Sequence, residues 1–380
     1  METILFKVED DSQGDLLKRA AALLQSGCLV AFPTETVYGL GANALDAEAV
    51  LGIFQAKGRP ADNPLIVHIV EMEELVGLTD GIPEVAKQLM THFWPGALTL
   101  VFRRSAAVPD GVTGGLDTVA VRMPVHPVAR KLLKLAAVPV AAPSANRSGR
   151  PSPTTAQHVL EDMDGRIPMI VDGGPCEVGV ESTVLDVTVQ PPMLLRPGGI
   201  TREMIEAVIG PITLDSHLAG GTDKPKSPGM KYTHYAPRAP MTLFIGDTVA
   251  VEKRMFSDAA NLSAEGYRVG VLCTEESLVR YRLAFSPAEA GPGISDGPSP
   301  LLADESIGGR VFPLSTGFRG NPASVAAGVF SVLRRFDAIG VDIILAEGFP
   351  EAGVGHAIMN RLRKAAGGHV VLCPQEKETT

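Results

Sequence analysis

The chain has 380 residues, 45 % hydrophobic and 20 % charged, with aromatics at only 5 %. This ordinary globular composition is long enough for two domains, and no run of about 18 apolar residues is present to span a membrane. The net charge is −9; residues 1–210 hold 17 Lys+Arg against 25 Asp+Glu, and residues 211–380 hold 17 against 18. Neither part is a basic module of the kind that grips a nucleic-acid backbone.

The opening Met1-Glu-Thr-Ile-Leu-Phe-Lys7 lacks the basic head and long apolar stretch of a signal peptide, so a cytoplasmic location is expected. Apolar periodicity predicts a helix over 14–25, with Leu16, Leu17, Ala20, Leu23 and Leu24 on one face. A short apolar strand over 28–32 ends at Pro33, and Asp46 reads as the N-cap of a helix reaching about Ala56. Strands are predicted at 65–69, 98–102, 118–123, 138–142, 169–171, 183–187 and 193–195, and helices at 83–92, 126–136, 154–162 and 201–209. This alternation implies an α/β domain over 1–210 with a twisted, mixed sheet.

Residues 211–240 are rich in Pro, Gly, Ser and Lys and read as a linker. A second α/β pattern fills 241–380: strands at 241–245, 268–273 and 342–346, helices at 248–265, 322–336 and 356–366, and a Gly/Pro/Ser-rich loop over 286–300. A smaller, Rossmann-like parallel-sheet domain is expected there. No GxGxxG follows its first strand; Gly353-Val-Gly-His356 opens a helix and suits either a turn or a phosphate cradle. The four cysteines, Cys28, Cys176, Cys273 and Cys373, show no CxxC spacing, so neither a disulfide framework nor a zinc site is expected.

Several strand ends carry chemistry. Thr34, Glu35 and Thr36 crowd the turn that leaves the first buried strand; they suit a ligand site at a strand end or a turn capped by hydroxyls. Lys57 and Arg59, one glycine apart and followed by Pro60 and Asn63, suit a polyphosphate or the C-terminus of a helix. His68 on the next strand reads as a satisfied core residue or a ligand contact. Period two puts Thr118, Ala120 and Arg122 on one strand face, where Arg122 needs an anion, either a structural carboxylate or a substrate. Ser144 and Asn146 offer a hydroxyl and an amide after another strand, with Ser152 a little beyond; the alternative is a capped turn. Ser182 and Thr183 head a strand, and Arg196 ends one beside Gly198 and Gly199, whose backbone allows close approach. The recurrence of such groups at strand ends points to one shared pocket.

Pro33-Thr-Glu-Thr-Val-Tyr-Gly-Leu40, Lys57-Gly-Arg59 with Asn63-Pro-Leu65, Ala142-Pro-Ser-Ala-Asn146 and Arg196-Pro-Gly198 together resemble the YrdC/Sua5 family. Ser227-Pro-Gly-Met-Lys-Tyr-Thr-His-Tyr-Ala-Pro237 and the C-terminal α/β domain resemble its long, Sua5 type, and the similarity spans about residues 14–368. The resemblance implies a threonylcarbamoyladenylate synthase. Such an enzyme joins L-threonine, bicarbonate or CO₂, and ATP, and releases pyrophosphate. Its product is the activated intermediate passed to the tRNA threonylcarbamoyl-transferase machinery for adenosine 37, with no stable tRNA binding and no membrane. By the same resemblance Arg122 holds the threonine carboxylate, with Thr36, His68, the Ala142 backbone and Ser182 completing that pocket. Lys57 and Arg59, as catalytic cations, line the ATP side with Asn63, Thr118, Ser144, Asn146, Ser152 and Arg196. Mg²⁺ is expected on the phosphates, with no dedicated protein metal site. The 211–240 segment becomes a lid that brings Tyr235 near the nucleotide.

Two other readings are open to such a sequence. An RNA-binding or ribosome-maturation module without ATP turnover is disfavoured by the acidic balance and the absence of aromatic–basic interleaving. A carbamoyl-transfer domain related to hydrogenase maturation would carry zinc-finger and acylphosphatase neighbours, and the sequence has neither.

Overall fold

The computed structural model describes residues 2–8, 14–219, 235–285 and 309–375. They fall into two compact units, one of residues 1–234 with 352–357 and one of residues 235–351 with 358–380. The expected loop over 286–300, and residues 220–234 of the expected linker, lie outside the described residues.

The first unit holds strands β1 (Ile4–Lys7), β2 (Val30–Phe32), β3 (Gly39–Asn43), β4 (Ile66–His68), β5 (Leu98–Arg103), β6 (Thr118–Arg122), β7 (Val140–Ala141), β8 (Met169–Asp172), β9 (Thr183–Asp186), β10 (Met193–Arg196) and β11 (Thr213–Leu214). Its helices are α1 (Gly14–Gln25), α2 (Ala47–Lys57), α3 (Leu75–Leu78), α4 (Glu84–Phe93), α5 (Asp110–Thr113), α6 (Pro127–Ala136), α7 (Ala156–Met163) and α8 (Arg202–Ile209). One mixed sheet runs in the order β1-β8-β2-β3-β7-β4-β6-β5-β9-β10-β11. The chain past Gly210 thus continues in this unit, since β11 pairs parallel with β10.

Alternation sorts the central strands into two faces. Val67, Leu98, Leu100, Phe102, Val119, Val121 and Leu185 enter a large core with α2, α4 and α7. The alternate positions Ile66, Val101, Ala120, Val184 and Leu195 form a separate, small apolar patch. At the other end of the sheet, Leu17, Ala20 and Leu24 of α1 meet Ala129, Leu132 and Leu133 of α6 over Val30, Phe32 and Val171. Each leucine fully buried there contributes about 2 kcal/mol.

Local signals set the ends of α2. The Asp46 side chain accepts from the Glu48 and Ala49 N–H groups, and Gly58 closes the helix in the left-handed region at φ 62°, which glycine adopts without a Cβ penalty. Lys57 is therefore the last helical residue rather than one just beyond the helix.

Strand β3 is absent from the sequence expectations because Gly-Leu-Gly-Ala-Asn has poor strand propensity. Packing decides it instead. A Cβ on Gly41 would lie 2.8 Å from both Phe32 Cε1 and Val140 Cγ1, so the glycine lets β3 nest against β2 and β7. That pairing returns the chain after the threonine-rich turn.

The second unit holds β12 (Met241–Gly246), β13 (Val269–Cys273), β14 (Val311–Ser315), β15 (Ile343–Glu347) and β16 (Val370–Cys373), with α9 (Thr248–Ala264), α10 (Glu275–Phe285), α11 (Pro322–Ile339) and α12 (Gly355–Ala365). Its strands run β14-β13-β15-β12-β16 and all pair in parallel, as expected for a small Rossmann-like sheet. Strands β14 and β16, both at sheet edges, escaped sequence reading for different reasons: Pro313 interrupts β14, as an edge strand tolerates, and β16 is mostly exposed or half-buried.

Candidate functional site

The site begins with sheet register. At the ends of the parallel strands β4 and β6, His68 lies directly opposite Arg122. On the other side of Arg122 stands Thr99 of β5, and Thr99 in turn faces Val184 of β9. Arg196 of β10 pairs with Val184 at a bulge. The neighbouring row on the same face is Ile66, Ala120 and Val101, part of the small apolar patch. A polar row thus borders an apolar row, and His68, Thr99, Arg122 and Arg196 are all buried.

Arg122 is the hub. Its Nε donates to Gly96 O at 3.1 Å and its Nη1 to Thr36 Oγ1 at 2.8 Å. Its Nη2 donates to Glu35 Oε1 in an ion pair whose side chains are only 4 % and 7 % exposed. The structural carboxylate that a buried arginine requires is therefore Glu35. The turn itself is fixed from inside: Thr34 Oγ1 lies 2.8 Å from Thr36 Oγ1 and donates to Val37 O at 2.7 Å. Burial pushes the Glu35 carboxyl upward, but the Arg122 charge and hydrogen bond, with backbone N–H donors that include Val125, bring its pKa below the usual value.

His68 Nδ1 lies 3.2 Å from Ile66 O. Burial, and then the Arg122 charge, push its pKa down to about 3. At neutral pH the ring is therefore uncharged, and it offers hydrogen bonding and shape rather than charge.

A second cluster adjoins this row. Ser182 Oγ lies 2.7 Å from Thr99 Oγ1. Arg196 grips the same serine twice, Nε to Ser182 O at 3.0 Å and Nη2 to Ser182 Oγ at 3.2 Å. Arg196, expected on the ATP side, and Ser182, expected on the threonine side, are thus bonded to each other. Ser152 Oγ donates to Glu181 Oε1 at 2.5 Å, which joins the 152 loop to the residue before Ser182.

The third cluster centres on Lys57. Its buried Nζ donates to Ser144 O and, at 2.6 Å, to Asn146 O, while Lys57 O accepts from Ser148 N at 3.0 Å. Ser144 Oγ donates to Asn146 Oδ1 at 2.5 Å. Lys57, Ser144 and Asn146 are therefore one unit, held by an ammonium on carbonyl oxygens. Arg59 Nη2 reaches Asn63 O at 3.2 Å and Pro64 O at 3.3 Å, and its guanidinium lies 5.9 Å from the Phe54 ring centre. Thr118 sits at the start of β6 opposite Arg103, on the Arg122 face but four residues away, roughly 13 Å along the strand. The Ala142 N–H donates to Ile66 O at 2.9 Å.

Tyr235 belongs to the second unit. It is buried at a left-handed φ of 66°, its ring 5.1 Å from that of Phe330 and with the Arg361 guanidinium 5.8 Å from its centre. Sequence reading gave Thr99 and Glu181 no site role and Glu35 only a place in a turn. Thr99 looks like an ordinary strand threonine, and its one cue is its alternation with Val101 on the Arg122 face.

Two buried arginines at strand ends and a buried lysine at a helix end, with neutral hydroxyls beside them, suit an α/β domain to anionic ligands. Residues 22–198 match the family model for Sua5, YciO and YrdC, described as telomere recombination, and residues 200–367 match the model described as threonylcarbamoyl-AMP synthase, C-terminal domain. The chain is 51 % identical to the threonylcarbamoyl-AMP synthase of Bacillus subtilis, over 93 % of its own length and 94 % of the relative's. It is 48 % identical to the Pyrococcus abyssi threonylcarbamoyl-AMP synthase, over 97 % and 99 % of the two chains. The crystal structure of P. abyssi Sua5 complexed with L-threonine superposes with a TM-score of 0.83 at 47 % identity, covering 98 % of this chain and 99 % of that one. The chain belongs to the Sua5/YciO/YrdC family, in the long form that carries the Sua5 C-terminal domain.

Proposed function

We propose that this protein is a threonylcarbamoyl-AMP synthase, a nucleotidyltransferase that makes its product from L-threonine, bicarbonate or CO₂, and ATP for tRNA modification. The observation that carries the reading is the His68–Arg122–Thr99 row, a charged and neutral pair set beside hydroxyls on one buried sheet face. The close relatives share the activity in their names over nearly the whole chain.

The chemistry asks for positioning more than for a covalent nucleophile. The threonine amine, once deprotonated, adds to the carbon of CO₂ and gives up a second proton to solvent, leaving a carbamate. A carbamate oxygen then attacks the α-phosphorus of ATP, and pyrophosphate leaves. Two anions must be brought together, so fixed cations and a site out of water do most of the work. Arg122 holds the threonine carboxylate, with Thr36, His68 and Ser182 around it. Because the Ala142 N–H is engaged by Ile66, the backbone contribution of that residue comes through its carbonyl.

Lys57 and Arg59 supply positive charge to the ATP side with Asn63, Thr118, Ser144, Asn146, Ser152 and Arg196. Lys57 also fixes the Ser144–Asn146 turn. Among the described residues no group of three or more His, Cys, Asp or Glu side chains is arranged to hold a metal ion. In this reading a Mg²⁺ arrives with ATP, keeps phosphate and water ligands, and would neutralise phosphate charge when bound. A lid role in this reading falls on the part of 211–240 after β11, whose two residues pair in the sheet, and the product passes to the tRNA-modifying machinery. No helix among the described residues is long and apolar enough to cross a membrane; a cytoplasmic site of action is part of this reading.

The test is pyrophosphate release from ATP with each co-substrate omitted in turn. Release that needs both threonine and bicarbonate supports the assignment; equal release without threonine removes it.

A further inference from the structure

Glu35 is an unexpected occupant of a carboxylate-binding subsite, because it already sits on the guanidinium assigned to the substrate's carboxylate. We propose that Glu35 determines specificity as a resident counter-charge: it makes the Arg122 subsite net neutral, so an α-amino acid enters and an amine-free carboxylate of the same shape is rejected. This rests on the reading of Arg122 as the holder of the threonine carboxylate.

The hydrogen-bond pattern leaves donors for both carboxylates. Of the five N–H bonds of a guanidinium, Arg122 commits three, to Gly96 O, Thr36 Oγ1 and Glu35 Oε1. One N–H remains on each Nη. Glu35 cannot simply swing aside, because its other oxygen accepts from Val125 N at 3.3 Å and its backbone O accepts from Val178 N at 2.8 Å. A carboxylate seated on the remaining N–H groups therefore shares one guanidinium with a fixed, buried carboxylate.

The surrounding groups do not relieve that repulsion. His68 stays uncharged beside Arg122, burial holds His126, which faces Glu35, below its usual value, and burial pushes the Cys176 thiol up to about 12, so it remains protonated. Arg122 and Glu35 cancel, leaving an isolated anionic ligand uncompensated in a site of low dielectric. An α-amino acid carries its ammonium two bonds from its carboxylate and brings its own compensation within reach of Glu35. The neutral subsite matches a zwitterion.

The experiment is equilibrium binding of L-threonine and of its desamino analogue, 3-hydroxybutyrate, to the full chain. The wild type is expected to favour threonine by about a hundredfold or more, as two poorly screened charges allow. Glu35→Gln keeps the shape and removes the charge, and should shrink that preference about tenfold; Glu35→Asp should retain it. An unchanged preference in a folded Glu35→Gln protein overturns the inference. If that variant does not fold, the wild type decides: comparable binding of the two ligands overturns the inference, and strong discrimination supports it together with Glu35→Asp. Arg122→Gln separates the two layers. If it leaves threonine affinity intact, the underlying reading of Arg122 fails; if it abolishes binding while Glu35→Gln leaves the preference unmoved, only the role of Glu35 fails.

Discussion

His68 and Arg122 stand directly opposite each other on neighbouring parallel strands, and burial together with this pairing keeps the imidazole neutral. Burial is the larger cause and the Arg122 charge the next, giving a pKa of about 3 against an ordinary 6.5. The unfolded chain therefore takes up the proton first, and stability falls as pH drops from about 6.5 toward 3. Glu35, lowered below its ordinary value of 4.5, adds stability that is complete above that value and is lost further into acid. The window between about 6.5 and 4.5 thus belongs to the histidines, His68 and the likewise lowered His126, rather than to Glu35. Between pH 7 and pH 5 the wild type should lose about 2 kcal/mol more stability than His68→Gln, an order-of-magnitude figure. Denaturant unfolding of both proteins at the two pH values checks it; equal losses would contradict a buried, neutral His68.

The Glu35–Arg122 pair should behave as one unit. Arg122→Gln leaves a buried carboxylate without its counter-charge and should cost about 3–5 kcal/mol of stability. The double variant, Glu35→Gln with Arg122→Gln, removes both charges and should cost clearly less than the two single losses added. A coupling above about 1 kcal/mol in a double-mutant cycle is expected; strict additivity would dissolve the pair.

Lys57 ties the end of α2 to the carbonyls of Ser144 and Asn146. Lys57→Met keeps the stem and deletes the donor, leaving two carbonyl oxygens without this partner. A loss of about 2–3 kcal/mol is expected, with turnover falling much further than stability alone explains. The measurement is pyrophosphate release at a temperature where thermal unfolding shows the variant folded. Near-normal turnover there would remove Lys57 from the ATP side.

Thr99 is the least conspicuous member of the site. Thr99→Val keeps the β-branched shape and removes the hydroxyl 2.7 Å from Ser182 Oγ. It should cost about 1 kcal/mol of stability and loosen the Ser182 rotamer that Arg196 grips, raising the KM for threonine severalfold. Thr99→Ser should restore most of the affinity. A valine variant with unchanged KM would make Thr99 a packing residue only.

The fold was largely legible where one physical signal dominated. Leu16, Leu17, Ala20, Leu23 and Leu24 mark out α1, and Asp46 caps α2 as its side chain suggests. Strand β3 was not legible, because Gly41 is there for close packing rather than for strand propensity. Nor were the edge strands, β14 because Pro313 interrupts it and β16 because it is mostly exposed or half-buried. In the site, Arg122 announced its need for an anion, but the identity of Glu35 depends on a turn 87 residues away closing over the strand. Thr99 became visible only through register, since nothing local distinguishes it from any strand threonine. Lys57 read equally well as a helix-end charge, and it is in fact both: the last helical residue and the clamp on a distant turn.

The most direct test of the central claim follows the carbon. Supplied with ¹³C-bicarbonate, ATP and L-threonine, the protein should place the label in the carbamoyl carbon of an AMP-bearing product, in step with pyrophosphate release. Pyrophosphate released with no labelled threonylcarbamoyl-AMP, under conditions where that product is stable, would contradict the account.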